Sequence, residues 1–221
     1  MLYKTRAIVL KNVKYGDSSL IVQIYTEDFG RQSLLVHGVR KKKSNFGYFF
    51  FEPLSLLNLD IYYKENRDLQ TLKEAKPCIV LHHLLSDVKK SSIAIFISEV
   101  LFRCLREVES NKSLFNYLFH AIQILDVAEE GLENFHIIFL LQLSKFLGIH
   151  PKNNTGLIHF KNINENQLNN LFEYSLQDIS DFKIEKSVRL EFLNQLILYY
   201  KTHLEGMGEI KSLQVLHDVY F

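Results

Sequence analysis

The 221-residue sequence contains no tryptophan, two cysteines and three prolines. Cys78 and Cys104 lie 26 positions apart, without a Cys-x-x-Cys pair and without a histidine at metal-ligand spacing near either. This spacing argues against a disulfide framework and against a structural zinc cluster. We expect two reduced cysteines, with Cys104 in a core.

Long apolar runs are absent too. No run approaches the roughly 20 residues needed to cross a bilayer. Residues 1–20 scatter Lys4, Arg6, Lys11 and Lys14 among apolar residues, so they lack the continuous apolar segment of a signal peptide. A cytoplasmic protein without a membrane partner is the expectation.

Charge is small in total but uneven. The net charge is +1, whereas residues 1–76 carry 13 Lys/Arg against 8 Asp/Glu, a net +5, which leaves a net −4 for residues 77–221. Four consecutive cations, Arg40 to Lys43, follow His37-Gly38-Val39 without an intervening acid. The imbalance predicts that any nucleic-acid face is local to the front segment, although such a run also suits a solvated turn.

The front segment has the pattern of β-structure, with alternating apolar residues and short polar turns. The predicted strands are Tyr3–Leu10, Leu20–Thr26, Ser33–Val39 and a long Phe49–Tyr63, with Asp68–Ala75 as a fifth strand or a short helix. Five strands in about 75 residues favour a closed barrel, because closure removes exposed edges. The five-stranded oligonucleotide-binding (OB) fold is the common solution of that size and binds single strands along one face.

Such a face needs cations for phosphates and aromatic rings on which bases stack. Our candidate nucleic-acid-binding residues are Arg6, Lys11, Lys14, Tyr25, Arg31, His37, Arg40, Lys41, Lys42 and Lys43. Tyr48 and Phe49 also qualify as stacking rings, but core packing is the favoured interpretation of Phe49–Phe51.

The apolar period changes from about 2 to about 3.6 after Pro77, which we take as the boundary between domains 1–76 and 77–221. The predicted helices are Ser91–Val108, Leu114–Val127 with Ser113 as its cap, a buried Leu132–Leu147 ended by Gly148, Ser187–Leu204, and a short one from Ser212 through His217. Within residues 152–184, Glu165–Tyr174 is a helix candidate and the rest reads as loop. The fold class is therefore α+β, an OB barrel followed by an all-helical domain.

Motifs of catalysis are not apparent in the sequence. There is no G-x-S-x-G, Walker loop or H-E-x-x-H, and the nine histidines fall at no metal-motif interval. His136 lies in the most apolar helix and is expected to be a hydrogen-bonded core residue. We expect no enzymatic activity and no cofactor.

Four pieces of the front segment resemble one known family in order and spacing. They are Thr5–Leu10, Tyr15–Ser19, the T-x-x-x-G-R turn of Thr26–Arg31 and the G-x-R-x-x-x-S loop of Gly38–Ser44. Together they resemble the N-terminal domain of the RecO recombination mediators. Leu147–Pro151 and Lys211–Leu213 extend the resemblance more faintly.

The resemblance implies an OB barrel and a helical domain that bind single- and double-stranded DNA, anneal strands and help to load RecA. It also implies RecR and the acidic tail of the single-strand-binding protein as partners. Many relatives hold zinc with four cysteines after the L-G-x-x-P sequence. This chain has no cysteine beyond Cys104, so we expect no zinc.

An acidic, apolar-ended tail needs an apolar pocket rimmed by cations, and Phe102, Arg103 and Arg106 come nearest to one in the sequence. Two snorkelling surface arginines are the alternative. For the whole chain, the alternatives to a mediator are an OB-fold adaptor that holds acidic protein segments and a metal-dependent nuclease, for which the front half lacks clustered carboxylates.

Overall fold

The computed structural model describes residues 1–39, 47–65, 67–151 and 172–221. The alternating front segment forms five strands. They are β1 Leu2–Tyr15, β2 Ser19–Thr26, β3 Gly30–Val36, β4 Leu56–Tyr62 and β5 Leu69–Pro77. The segment Asp68–Ala75, for which the sequence allowed a strand or a short helix, is therefore a strand. Pro77 is the last residue of β5.

These strands close into a barrel in the order β1-β2-β3-β5-β4. All neighbours are antiparallel except β3 and β5, which pair in parallel from Ser33↔Leu69 to Leu35↔Thr71. The inward residues form one buried cluster: Ala7, Val9, Leu20, Val22, Ile24, Leu34, Val36, Val39, Phe51, Leu57, Leu59, Ile61, Leu72 and Ala75. The predicted OB barrel followed by helices is confirmed.

The stretch Phe49–Tyr63 is not the single long strand expected. Tyr48–Phe51 forms a 3-10 helix, and β4 begins only at Leu56. Between them lie Pro53, which has no amide hydrogen, and Leu54, whose φ is +63°. The Leu54 amide donates to the Val9 carbonyl at 2.8 Å, so this bend is tied to β1.

Five α-helices lie within the described ranges. They are α1 Val88–Cys104, α2 Lys112–Val127, α3 Leu132–Phe146, α4 Lys186–His203 and α5 Ser212–Tyr220. The expected cap of α2 was wrong, because Asn111 Oδ1, not Ser113, accepts from the Leu114 amide at 3.0 Å. Gly148 ends α3 as expected, with φ +69° and its amide donating to the Lys145 carbonyl. Of residues 152–184, positions 152–171 lie outside the described ranges, including most of the helix candidate Glu165–Tyr174.

The chain folds as two compact units. One combines Met1–His82 with Ile97–His120, and the other combines His83–Phe96 with Ala121–Phe221. In the second unit α3 and α4 are joined by Tyr200, whose hydroxyl donates to the Leu140 carbonyl at 2.6 Å. The division at residue 76/77 stays a prediction.

His136 is a core residue of α3, with none of its surface exposed. Its ring is surrounded by Phe96, Tyr220 and Phe221. Neither ring nitrogen has a hydrogen-bond partner among the described residues, so the expected hydrogen bond is not found. Burial, with nearby Arg189 as a second cause, lowers the pKa of His136 to about 3.

Both cysteines are free thiols, and burial raises the pKa of Cys104 to about 12. Within the described ranges, no helix combines the length and apolarity that a membrane crossing requires.

Candidate nucleic-acid interface

One side of the barrel is occupied by protein. Arg31 lies on β3, and its Nη1 donates to two carbonyls at the end of α1, those of Phe102 at 2.8 Å and Leu105 at 2.9 Å. Its guanidinium also lies 4.4 Å from the centre of the Phe102 ring. Burial, with repulsion from Arg106 as a second cause, lowers the pKa of Arg31. Arg31 therefore satisfies carbonyls that the helix end leaves open.

Arg6 is held in a similar way. Its Nε and Nη2 donate to the two carboxylate oxygens of Glu27, each at 2.8 Å, and Nη2 also donates to Asn116 Oδ1 at 3.3 Å. The guanidinium lies 5.3 Å from the Phe115 ring centre and 4.8 Å from that of Phe119. The paired hydrogen bond is the main cause that raises the pKa of Arg6 and lowers that of Glu27. This cation is therefore largely neutralised in place.

Tyr25 packs on the same side. Its side chain is 3% exposed, and its ring stacks on Phe115 with 6.4 Å between centroids. Burial raises its pKa to about 12. Lys11 of β1 contacts the same Phe102 ring as Arg31, with Nζ 4.8 Å from the ring centre. The residue is nevertheless exposed.

The T-x-x-x-G-R turn fixes this packing. Thr26 Oγ1 accepts from the Phe29 amide at 3.0 Å and donates to the Gly30 carbonyl at 2.8 Å. Gly30 has φ +58°, and a Cβ there would lie 2.7 Å from the Glu107 carbonyl oxygen. The Arg31 amide donates to that same oxygen at 3.0 Å. The turn motif is therefore a structural device that seats residues 107–109 against the barrel.

Farther along these strands, toward the β1–β2 turn, the same outer face of the sheet is open. Its outer residues from β1 to β3 alternate with the buried ones, and we call this set the open strand face: Lys11, Val13, Tyr15, Ser19, Ile21, Gln23, Ser33, Leu35 and His37. Tyr15 is 53% exposed and pairs with Ser19, whose hydroxyl lies 3.5 Å from His37 Nδ1. Lys14, also exposed, lies beside Tyr15 at the tip of β1.

Residues Arg40 to Lys43 of the basic run, with the other residues of 40–46, lie outside the described ranges. The chain enters this run from Val39, two residues beyond His37. Of the predicted nucleic-acid-binding residues, the structure therefore describes Lys11, Lys14 and His37 on or beside the open strand face.

A second exposed surface spans β1, β4 and β5 and carries both charge signs. Lys4 pairs across the sheet with Asp60, and Asp60 with Glu74. Glu74 forms an ion pair with Lys76 at 2.6 Å, which lowers the pKa of Glu74. Alternating signs give a polyanion no continuous favourable track.

The three predicted partner-binding residues lie at and just beyond the end of α1. The Phe102 ring lies against the Lys11 and Arg31 cations. Arg103 pairs with Glu99 at 3.2 Å, one helical turn away. Arg106 is exposed.

Two aromatic stacking candidates are on the surface, although core packing was the favoured interpretation of one of them, Phe49. Phe49 is 63% and Tyr48 38% exposed, whereas Phe51 is fully buried. A 3-10 helix turns neighbouring side chains in different directions, which the apolar run Phe49–Phe51 did not reveal. Among the described residues, no group of three or more His, Cys, Asp or Glu side chains is arranged to hold a metal ion.

Comparison with known proteins agrees with this architecture. The model of the recombination protein O N-terminal domain matches residues 1–80, and that of the C-terminal domain matches residues 85–167. The DNA repair protein RecO of Azobacteroides pseudotrichonymphae is 37% identical, and those of Phocaeicola vulgatus and Bacteroides fragilis are each 34% identical. Each alignment covers 100% of this chain and 100% of the relative. The resemblance noted in the sequence is confirmed, and the chain belongs to the RecO family of DNA repair proteins.

Proposed function

We propose that the protein is a recombination mediator in DNA repair. It binds single- and double-stranded DNA through its barrel, anneals complementary strands and assists the loading of RecA onto DNA coated by single-strand-binding protein. It acts in the cytoplasm by binding alone, without making or breaking covalent bonds.

The observation that supports this proposal best is that some barrel cations are engaged by protein groups while others are exposed. Arg6 and Arg31 are engaged by Glu27 and by the α1 carbonyls. Lys14 and His37 are exposed beside the open strand face, and β3 leads from there into the sequence Arg40 to Lys43. Among the described residues, the exposed Lys14 and His37 thus lie at the end of the sheet from which the sequence continues into the basic run.

Cations on a strand face and its adjoining segment suit contact with phosphates, which fixes position without reading sequence. Each phosphate neutralised releases counterions, so binding weakens as salt increases. Sequence-independent binding is what annealing requires, because the protein must accept any pair of complementary strands.

We propose RecR and the acidic tail of the single-strand-binding protein as partners, with RecA as an indirect one. For the tail, Arg106 is the strongest of the three predicted contacts, since it is exposed whereas Phe102 and Arg103 are half-buried. Arg106→Glu should weaken binding of a fluorescent tail peptide and leave DNA affinity unchanged. Equal peptide affinity for parent and variant would exclude this location.

A strand-annealing assay tests the proposal. Complementary oligonucleotides are mixed with the protein, either bare or coated with the cognate single-strand-binding protein, and duplex formation is followed by fluorescence. A mediator accelerates annealing in both cases. A protein that anneals only the bare strands binds DNA but is not a mediator.

The second candidate is an OB-fold adaptor that holds proteins and does not bind DNA. The mixed-charge surface of β1, β4 and β5 favours it, because paired Lys4, Asp60, Glu74 and Lys76 suit a protein surface. An adaptor retains no oligonucleotide on a filter at moderate salt, whereas a mediator does.

A further inference from the structure

The 3-10 helix Tyr48–Phe51 presents its side chains in opposite directions. Phe51 is fully buried in the barrel interior, and Phe50 packs partly against the same core. Phe49 and Tyr48 point away from it and are 63% and 38% exposed. Single exposed apolar residues are ordinary on protein surfaces, but two adjacent exposed rings on one short helix form a larger aromatic surface.

The 3-10 helix and the Phe49 ring are held by a fixed support. Asn12 of β1 donates from Nδ2 to the Phe51 carbonyl at 2.7 Å, and the Phe50 amide donates to the Gly47 carbonyl at 3.0 Å. The Phe49 ring meets the edge of Phe50 at 4.4 Å between centroids and an angle of 74°. It also occupies the space that a Cβ at Gly47 would need. The position of the ring is therefore set by packing, while most of its surface faces solvent.

In the sequence, these rings follow the basic run closely. Residues 40–43 are four cations, and Tyr48 follows Lys43 by five positions. Asn12, which anchors the 3-10 helix, lies on the same strand as Lys11 and Lys14. Phosphate-binding cations next to accessible rings are the two parts of a single-strand binding surface, since every base offers a face for stacking.

We infer that Tyr48 and Phe49 form a base-stacking platform for single-stranded DNA. The inference rests on the proposed DNA binding and adds to it a means of telling single strands from duplex. Bases in a duplex are already stacked on each other, so only unpaired bases can leave their neighbours for the protein rings. The occupant is a polyanion with exposed bases, in keeping with Lys11 and Lys14 on the strand that anchors the 3-10 helix.

The absence of tryptophan from the chain allows a direct test. Phe49→Trp gives a protein with a single tryptophan at the platform. A single-stranded oligonucleotide should quench its fluorescence, whereas an abasic oligonucleotide of equal length and a blunt duplex should not. The matched control is Tyr62→Trp, on β4 at an exposed aromatic position of the mixed-charge surface. Its fluorescence should be unchanged by all three.

A second variant measures the contribution to affinity. Phe49→Leu keeps an apolar side chain without a π face, and Tyr48→Leu does the same beside it. Each should weaken binding of the single strand by about fivefold to 150-fold, the range of one stacked base. Affinity for the abasic strand and for duplex should stay within about twofold, and unfolding by heat should show that both variants are folded.

The outcomes separate the inference from the function on which it rests. If the parent protein binds no DNA of any form, the proposed function fails. If the parent binds DNA but Phe49→Leu weakens the single, abasic and duplex ligands equally, the platform is refuted and DNA binding stands. Quenching of Phe49→Trp by the abasic strand, or no quenching by any DNA that the protein binds, also refutes it, the latter favouring a protein partner at these rings.

Discussion

Arg6 and Lys14 both lie on β1, yet their side chains meet different surroundings. Arg6 meets Glu27, Asn116 and two phenylalanine rings, whereas Lys14 lies exposed at the strand tip. A cation that already has a carboxylate at 2.8 Å gains little from a phosphate. The position on the barrel therefore separates structural cations from those available to DNA.

The first prediction compares these two residues. Arg6→Gln should lower the free energy of unfolding by about 1–2 kcal/mol, because it removes a charged hydrogen-bonded pair and two cation–π contacts. Lys14→Gln should change stability by less than about 0.5 kcal/mol, as expected for an exposed residue. Urea unfolding measures both.

For DNA binding we expect the larger effect from Lys14→Gln and the smaller one from Arg6→Gln. The salt dependence of affinity should decrease by about one unit of log–log slope or less for Lys14→Gln and stay unchanged for Arg6→Gln. A variant of Arg6 with parental stability and a lower slope would assign Arg6 to the DNA surface instead.

The second prediction concerns pH and His136. Its folded pKa, about 3, is below the ordinary value of 6.5, since burial and Arg189 disfavour the imidazolium. Between these values the unfolded chain binds a proton that the folded chain does not, so stability falls as pH falls through that window. Above pH 6.5 the titration of His136 causes no loss of stability. Below pH 6.5 the free energy of unfolding decreases by up to about 1.4 kcal/mol per pH unit.

His136→Leu should remove the pH dependence of stability that His136 causes, while placing an apolar side chain of similar size in the core. Chemical unfolding at several pH values between 7 and 4 should therefore show a shallower decline in stability for the variant. Parallel curves for the two proteins would show that His136 does not titrate on unfolding as described.

Among the elements, the β2–β3 turn does most to organise the first unit. Thr26 closes it, Gly30 allows the 107–109 backbone to approach, and Arg31 satisfies the end of α1. The segment 107–109 is also held against the turn by Ser110, whose hydroxyl donates to the Glu27 carbonyl at 2.8 Å. One short turn thus sets both a hairpin and the position of the helix end beside it.

The third prediction follows from this turn. Gly30→Ala should lower the free energy of unfolding by about 2–4 kcal/mol, because a Cβ meets fixed backbone atoms of residues 107–109 as well as an unfavourable φ. Gly16→Ala is the matched control. Gly16 has φ +55° but nothing within 4 Å of the Cβ position, so its cost should be about 1 kcal/mol. Equal losses for both variants would contradict the described approach.

Strand alternation and turn composition made the barrel predictable, since period-2 burial leaves a direct mark on the sequence. The roles of Arg6 and Arg31 were not readable, because their partners lie 21 to 110 positions away or are backbone carbonyls. The burial of Tyr25 was not readable either, because it depends on stacking against Phe115, which is distant in the sequence. The exposure of Phe49 depends on a 3-10 helix within an apolar run that favours a strand.

On the scale of the whole molecule, charge is divided along the chain and again around the barrel. The front segment has a net charge of +5 and the remainder −4. Within the front, Arg6 and Arg31 are engaged by protein groups, and Lys4 and Lys76 alternate with acids. We propose that DNA contacts the open strand face and the basic run that follows it.

Salt dependence of single-strand affinity tests this claim most directly. The parent protein is compared with a variant in which Arg40, Lys41, Lys42 and Lys43 are alanine, and with Arg6→Gln as the control for an engaged cation. The logarithm of affinity should fall linearly with the logarithm of salt for the parent, and the slope should decrease by about two to three units for the fourfold variant but not for the control. A fourfold variant with the affinity and slope of the parent at every salt concentration would contradict the claim.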